Sequence, residues 1–284
     1  LRLVERGDPD AKAAELRSAP VVAATTAACG SRVLRACSFD VALVDEASQL
    51  TEPSTHAAIA LADRFVLVGD HQQLPPVVRA ENDLERSLFE RLIEAYPDAS
   101  VLLDRQYRMS QRIQAFSSAA FYDGALRPAT PSVARRSLAD LADLDALPPG
   151  LDGGVTVVDP DGTRDGNRNV TEARQVAAIV DAYRAAGVDP EDIGVIAPFR
   201  AQVAEIGGRT DVTVDTVDRF QGSAKEVIVV SFVATGTLDG PIFEDHRRVN
   251  VALTRAKRQL TLVCDTDALA SDPFYARMLE WARR

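Results

Sequence analysis

The chain has 284 residues, enough for one or two domains. It is 46% hydrophobic and 26% charged, an ordinary globular mixture, and no apolar run approaches the ~18 residues of a membrane span. A net charge of −10 excludes a nonspecific nucleic-acid coat but leaves room for a groove lined by local arginines.

Arginine supplies 29 of the 32 cations, and 28 Asp face only 3 Lys. A GC-rich genome and a high-salt cytoplasm both account for this balance, the second because strongly hydrated carboxylates keep a surface soluble. The chain starts at Leu1 and shows no signal peptide, so it reads as part of a longer cytoplasmic protein of a prokaryote or archaeon. Cys29, Cys37 and Cys264 form no CxxC pair and read as buried thiols in a reducing compartment.

In chain order, residues 8–18 read as a short helix capped by Asp8, with Pro9 in its first turn. Residues 21–24, 37–45 and 64–69 read as strands, with a helix over 54–62. Residues 84–95 place Leu84, Leu88, Leu92 and Ile93 at helical spacing. A strand at 101–104 runs into DRQYRMS, a helix follows to about Phe121, and 127–150 reads as a surface connection. A second set follows: strands at 155–158, 193–197, 212–217, 226–233 and 259–264, and helices at 170–186 (opened by Asn169), 245–257 and 272–283. This alternation predicts parallel sheets with helices on their faces, in two lobes with a cleft between them.

Several strand ends carry chemistry. Asp45-Glu46 ends one apolar run, and Gly69-Asp70 with Gln72-Gln73 ends another. In open α/β sheets the site lies at such carboxyl ends. A strand-end Asp suits a hydrated Mg²⁺ on nucleotide phosphates, and the next carboxylate suits activation of a water. An Asp at a strand-to-helix turn is equally an ordinary N-cap. Gln73 has an amide that can bond phosphate oxygen or water, or simply face solvent. Tyr107 can stack on a base and Arg108 can fork onto phosphate, or the two can be a half-buried ring and an ion pair. HRRVNVALTRAKR carries Arg247, Arg248, Arg255, Lys257 and Arg258 with no acid among them. On one helix Arg248 and Arg255 share a face with Ala252 between them, and that face asks for an anionic partner. In DTVDRFQGSAKE, Gly222 permits a tight turn beside Thr216 and a half-buried Phe220. Thr25 and Pro198-Phe199-Arg200 are strand-end loops of the same sort.

Together these stretches resemble a superfamily 1 helicase of the B type, over about residues 19–268. VDEASQ resembles motif II, VGDHQQLPP motif III, DRQYRM motif IV, VDTVDRFQG motif V and RRVNVALTRAKR motif VI, all in family order. With SLFERLIEAYPDA and IGVIAPFR, the wording resembles the C-terminal helicase portion of the DNA replication helicase/nuclease (Dna-two) family. The resemblance implies an α/β fold of two RecA-like P-loop NTPase lobes, the first incomplete, at residues 1–102 and 103–284. It implies an ATP-dependent helicase moving 5′ to 3′ on single-stranded DNA in replication or repair. Asp45 would hold Mg²⁺ through water, Glu46 would be the catalytic carboxylate, and Gln73 would sense the γ-phosphate. Arg108 and Arg255 would be arginine fingers, Tyr107 would stack on adenine, and the loop at Gly222 would help hold the nucleotide. Thr25, Pro198 and Thr216 would touch the single strand.

Two features depart from the family. No G-x-x-x-x-G-K-[ST] loop is present, so this stretch by itself is expected to turn over ATP poorly, and the resemblance implies the loop, with room for a nuclease domain, upstream. Ala224 stands where relatives often place an acid after the motif V glycine. Two other readings stay open: an RNA helicase of the nonsense-mediated-decay type, and a noncatalytic nucleic-acid-binding module.

Overall fold

The computed structural model describes residues 9–78 and 85–284. Asp8, the expected first cap, and Leu84, the first residue of the expected stripe, lie outside the described residues. The chain divides into two compact units, Leu1–Val101 and Leu102–Arg284.

The first unit contains α1 (Pro9–Ser18), α2 (Thr26–Cys29), α3 (Arg32–Arg35), β1 (Phe39–Val44), α4 (Glu52–Ile59), β2 (Ala62–Leu67) and α5 (Leu88–Ala95). β1 and β2 pair in parallel, and Val44 lies beside Leu67. α5 starts where the Ser87 hydroxyl accepts from the Glu90 N–H, a side-chain cap for one of the orphan donors of a helix start. Its Phe89 joins Val44 and Ala47 in a small core, against which Leu50, Ala58, Ile59, Leu67 and Ile93 pack.

Two expected strands are absent. Residues 21–24 form no strand, and Thr25 instead caps α2 by accepting from the Ala28 N–H at 3.2 Å. Residues 101–103 are also unpaired, with Val101 at 85% and Leu103 at 78% exposure, and pairing starts only at Asp104, whose carbonyl accepts from the Arg127 N–H at 2.7 Å. Short apolar runs become strands only where another strand meets their backbone N–H and C=O groups, and none among the described residues does so here.

The second unit begins with β3 (Arg105–Gln106), α6 (Gln111–Phe121), β4 (Arg127–Pro128) and α7 (Pro131–Ala134). Then come β5 (Val155–Val158), α8 (Val170–Ala185), β6 (Ile193–Ala197), α9 (Arg200–Gly207), β7 (Thr213–Thr216), α10 (Val217–Phe220) and β8 (Lys225–Ser231). The chain closes with α11 (Pro241–Glu244), α12 (His246–Leu253), β9 (Ala256–Val263), α13 (Thr266–Ala270) and α14 (Pro273–Arg283). Five parallel strands lie in the order β5-β9-β8-β6-β7. All their carboxyl ends therefore share one edge.

The central strand β8 runs Val227-Ile228-Val229-Val230 with no exposure at all, as a strand covered on both faces must. α8 turns Ala173, Val176, Val180 and Tyr183 onto the sheet at helical spacing. Each fully buried side chain of this size contributes roughly 1.5–3 kcal/mol of transfer free energy. Gly194 in β6 is required by close approach: a Cβ there would meet the Phe220 ring at 2.9 Å and Ile228 at 3.0 Å. The stretch 127–150 is more than a surface connection, because Leu138 and Leu147 sink into this core at 1% and 9% exposure.

Candidate functional site

In the first unit the two strand ends are locked side by side. The Val68 N–H donates to the Val44 carbonyl at 2.8 Å, and the Ala47 N–H donates to the Val68 carbonyl at 2.8 Å. Gly69 lies so close to this turn that a Cβ would meet the Ser48 nitrogen at 2.8 Å. Glu46 takes a left-handed backbone, φ 52°, uncommon for a residue with a Cβ and frequent at sites where surrounding contacts hold strain. Its N–H donates to Asp45 Oδ1 at 2.9 Å, and its carboxylate accepts from the Gln49 amide. Both acids are exposed. Asp70 organises the second strand end: Oδ1 accepts from the Gln72 N–H at 3.0 Å, and Oδ2 from the Gln73 amide at 2.7 Å. Leu74 and Pro76 are buried behind the turn, so Gln73 is presented on a shaped loop.

These donors suit a hydrated magnesium ion. Oδ1 of Asp45 is engaged by one N–H and no bond among the described residues reaches Oδ2. Mg²⁺ takes one or two carboxylates and keeps waters rather than occupying an all-protein cage. Among the described residues there is no cluster of three or more His, Cys, Asp or Glu poised for a metal.

In the second unit Gln106 builds the QYRM turn. Its side-chain Oε1 accepts from the N–H groups of Arg108 and Met109, each at 2.8 Å, and its side-chain Nε2 donates to the Met109 carbonyl at 2.9 Å. Arg136 adds bonds to the carbonyls of Tyr107 and Arg108 at 2.8 and 2.7 Å. This fixed turn leaves the Tyr107 ring 69% exposed. Arg108 donates to the Thr254 carbonyl at 3.1 Å, and the Ser110 N–H donates to the Lys257 carbonyl at 2.9 Å. The turn is thereby fastened to the α12–β9 connection.

Arg255 lies on that connection and is 3% exposed. It donates to the Val251 carbonyl at 3.0 Å, to the Thr254 hydroxyl at 3.0 Å and to the Ser223 carbonyl at 3.4 Å. The expected helix over 245–257 is shorter, because α12 ends at Leu253. Thr254 donates to the Asn250 and Val251 carbonyls and stops the helix, and Ala256 at once pairs with Lys225. Arg248 and Arg255 therefore share no helix face, and Ala252, expected to admit a partner, is fully buried.

The basic run also has acids of its own, one just before it and the others from elsewhere in the chain. Arg248 pairs with Asp218 at 2.6 Å, Arg247 with Asp245 at 2.8 Å, and Lys257 and Arg258 with Glu226 at 2.6 and 2.7 Å. Burial alone raises the Glu226 carboxyl, but bonds from Lys257 and Arg258 bring it below its ordinary value. The expectation that this run lacks a partner without an outside anion does not hold.

Beside Arg255, the DRFQG stretch folds as α10 and a turn at Gly222, φ 81°. Phe220 is buried at 2% exposure, deeper than the half-burial expected. Thr216 opens α10, and its N–H donates to Asp215 at 2.8 Å. Pro198, Val217, Asp218, Ile242 and Arg248 line a small cavity of about 140 Å³. Pro198 and Thr216 thus end adjacent strands β6 and β7 on one edge.

Sequence reasoning missed the residues that build these loops: Gln106, Arg136 and Thr254. Arg136 and Thr254 act through contacts between distant segments, which no local pattern displays, whereas Gln106 acts within its own turn.

Residues 84–267 match an AAA domain, and residues 2–81 match a second AAA domain. An uncharacterized ATP-dependent helicase of Methanocaldococcus jannaschii is 36% identical over 94% of this chain and 42% of its own length. The DNA replication ATP-dependent helicase/nuclease DNA2 of Xenopus laevis is 38% identical over 87% of this chain and 27% of its own length. The human DNA2 protein is 34% identical over 85% of this chain. The chain thus spans less than half the length of these relatives. Among the described residues no helix is long and apolar enough to cross a membrane. With matched domains over nearly its whole length, the chain belongs to the AAA-domain family and, within it, to the superfamily 1 helicases similar to DNA2.

Proposed function

We propose that this chain is the motor portion of an ATP-dependent DNA helicase, which couples ATP hydrolysis to 5′–3′ movement on single-stranded DNA in replication or repair. The observation that carries the reading is the pairing of strand ends in the first unit: Asp45-Glu46 and the Gly69–Gln73 turn are held together by the Val44–Val68–Ala47 hydrogen bonds. A fold that needed only a tight turn has no use for two exposed acids and a strained Glu46 there.

Asp45 would hold Mg²⁺, and the ion would supply neutralisation of charge on the nucleotide phosphates. Glu46 accepts the proton of the attacking water. Gln73 bonds the γ-phosphate, and its bond to Asp70 sets where the amide points. Tyr107 stacks on adenine. Arg108 and Arg255 stabilise the charge that spreads over the phosphoryl oxygens, a role worth orders of magnitude in rate. Because both guanidinium groups are held on carbonyls or a hydroxyl of their own unit, they reach phosphate by exchanging those bonds. The Gly222 turn offers backbone amides, and Thr25, Pro198 and Thr216 contact the single strand. Thr25 does so at the cost of its cap on α2.

The test is single-strand-stimulated ATP hydrolysis by the complete protein, wild type against Glu46→Gln. Loss of turnover with nucleotide binding retained is the expected result, and unchanged turnover removes Glu46 from its role. Matched DNA and RNA strands in the same assay check the substrate class, since only contacts to the 2′-hydroxyl separate the two.

A further inference from the structure

Glu172 is the most deeply buried acid of the second unit, at 1% exposure, yet it lies on no loop assigned to nucleotide or strand. Its carboxylate accepts three bonds: from the Ser231 hydroxyl at 2.6 Å, and from the Val233 N–H at 3.0 and 3.2 Å to its two oxygens. Val233 needs such a grip. It has φ 56°, a genuine outlier for a β-branched residue, which costs on the order of 1–3 kcal/mol and persists only where neighbours hold it.

The same network continues to the 198–200 loop. Gln202, in the first turn of α9, donates to Ser231 Oγ at 3.1 Å and to the Asn169 carbonyl at 3.2 Å, and it accepts from the Asn169 N–H at 2.9 Å. Asn169 in turn caps α8 by accepting from the Glu172 N–H at 3.0 Å. Asn169, Glu172, Gln202 and Ser231 are all essentially buried. A closed ring of buried polar groups is stable only while every member is satisfied, so displacing one disturbs the rest.

A second, separate contact joins the same two segments. The Phe199 ring lies against Gly240, where a Cβ would meet it at 2.4 Å. Arg164 covers that ring at 4.9 Å and donates to the Asp239 carbonyl at 3.0 Å. Residues 233–240 are therefore gripped at one end by Glu172 and at the other by Phe199. This stretch leads directly into α11 and α12, and Arg255 lies on the connection that follows α12.

We infer that Glu172 is a positioning residue that couples the 198–200 loop to the segment bearing Arg255, so that single-strand contact at the first sets phosphate turnover at the second. The inference rests on the proposed helicase reading. A structural filler at this position needs no polar atoms; a carboxyl group that bridges Ser231 and Val233 transmits any shift of α9 to the start of the 233–240 segment.

The test uses the complete protein and a short single-stranded DNA. Glu172→Gln keeps size and one acceptor but places an amide donor opposite the Val233 N–H. Ser231→Ala removes the bridging oxygen with little change of volume and serves if the first variant fails to fold. For both we expect basal ATP hydrolysis, KM for ATP and strand affinity within about twofold of wild type, while the stimulation of kcat by the strand falls about tenfold. The double variant should lose no more than the worse single variant. Stimulation at the wild-type level in either folded variant overturns the inference and leaves the helicase reading intact. Absence of stimulation in the wild type overturns both.

Discussion

Arg108 and Arg255, far apart in the chain, meet on one residue: Arg108 donates to the Thr254 carbonyl and Arg255 to the Thr254 hydroxyl. Thr254 also ends α12. Thr254→Val keeps the shape and removes the hydroxyl, so Arg255 loses an acceptor and the last α12 carbonyls lose a donor. Stability should fall by about 1–2 kcal/mol in denaturant titration. The kcat for ATP should fall about tenfold with KM little changed. Equal kcat in the two proteins counts against Thr254 as a support for Arg255.

Arg255 itself is predicted to be needed for turnover and not for strand binding. Arg255→Lys keeps the charge but loses the planar fork. A fall in kcat of roughly 10³ is expected for loss of a finger. Strand affinity, read by fluorescence anisotropy, should stay within a few-fold. A proportionate loss of both would make Arg255 a folding residue instead.

Tyr107 is exposed on a turn that Gln106 and Arg136 hold in place, so its ring can change without unfolding the turn. Tyr107→Ala should raise KM for ATP by about tenfold or more, from loss of roughly 1–3 kcal/mol of base stacking. Tyr107→Phe should behave as wild type. A phenylalanine variant as impaired as the alanine one would show that the hydroxyl matters and that stacking does not.

Gly69→Ala tests the close packing of the strand ends. The new methyl meets the Ser48 backbone nitrogen, which cannot move without shifting Ala47 and Glu46. Destabilisation of about 1–3 kcal/mol is expected, together with loss of ATP turnover. Calorimetry and the hydrolysis assay on the same sample decide it.

Glu172 predicts a pH effect on stability. Burial drives its carboxyl up from 4.5 to about 7, against the lowering pull of the Ser231 and Val233 bonds, and Asp265 adds to the rise. Cys264 and Asp159 also lie in this neighbourhood, the thiol itself pushed up by burial. Between these two values the folded protein keeps a proton that the unfolded chain has released. The contribution therefore favours folding near pH 4.5 and is lost as pH rises through 7, up to about 3 kcal/mol in all. Denaturant titrations at pH 5.5 and 7.5 should show this fall in the wild type, beyond the change seen in Glu172→Gln. Parallel pH slopes for the two proteins would refute it.

Much of the second unit was legible because its strands are continuous apolar runs, such as Val227–Val230, bounded by turn residues. Asn169 announced the start of α8 for a similar local reason: a side-chain cap is written within three residues. Residues 21–24 and 101–104 misled because β-rich composition says nothing of a partner strand. The basic run misled for the opposite reason. Arg248 and Lys257 find Asp218 and Glu226 about thirty positions away, and pairing at that range leaves no periodic trace. Glu172 was passed over because an acid in the first turn of a helix usually serves the helix dipole on the surface. Only the fold reveals that it is buried beneath β8.

The Ser110–Lys257 bond, which involves neither guanidinium, has a kinetic consequence. It joins the QYRM turn to the α12–β9 connection as one block, on which the backbones of Tyr107, Arg108 and Arg255 ride together. On the proposed reading, a movement that withdraws the arginines from phosphate also lifts the ring from the base. Release of inorganic phosphate and loosening of ADP then follow from a single event.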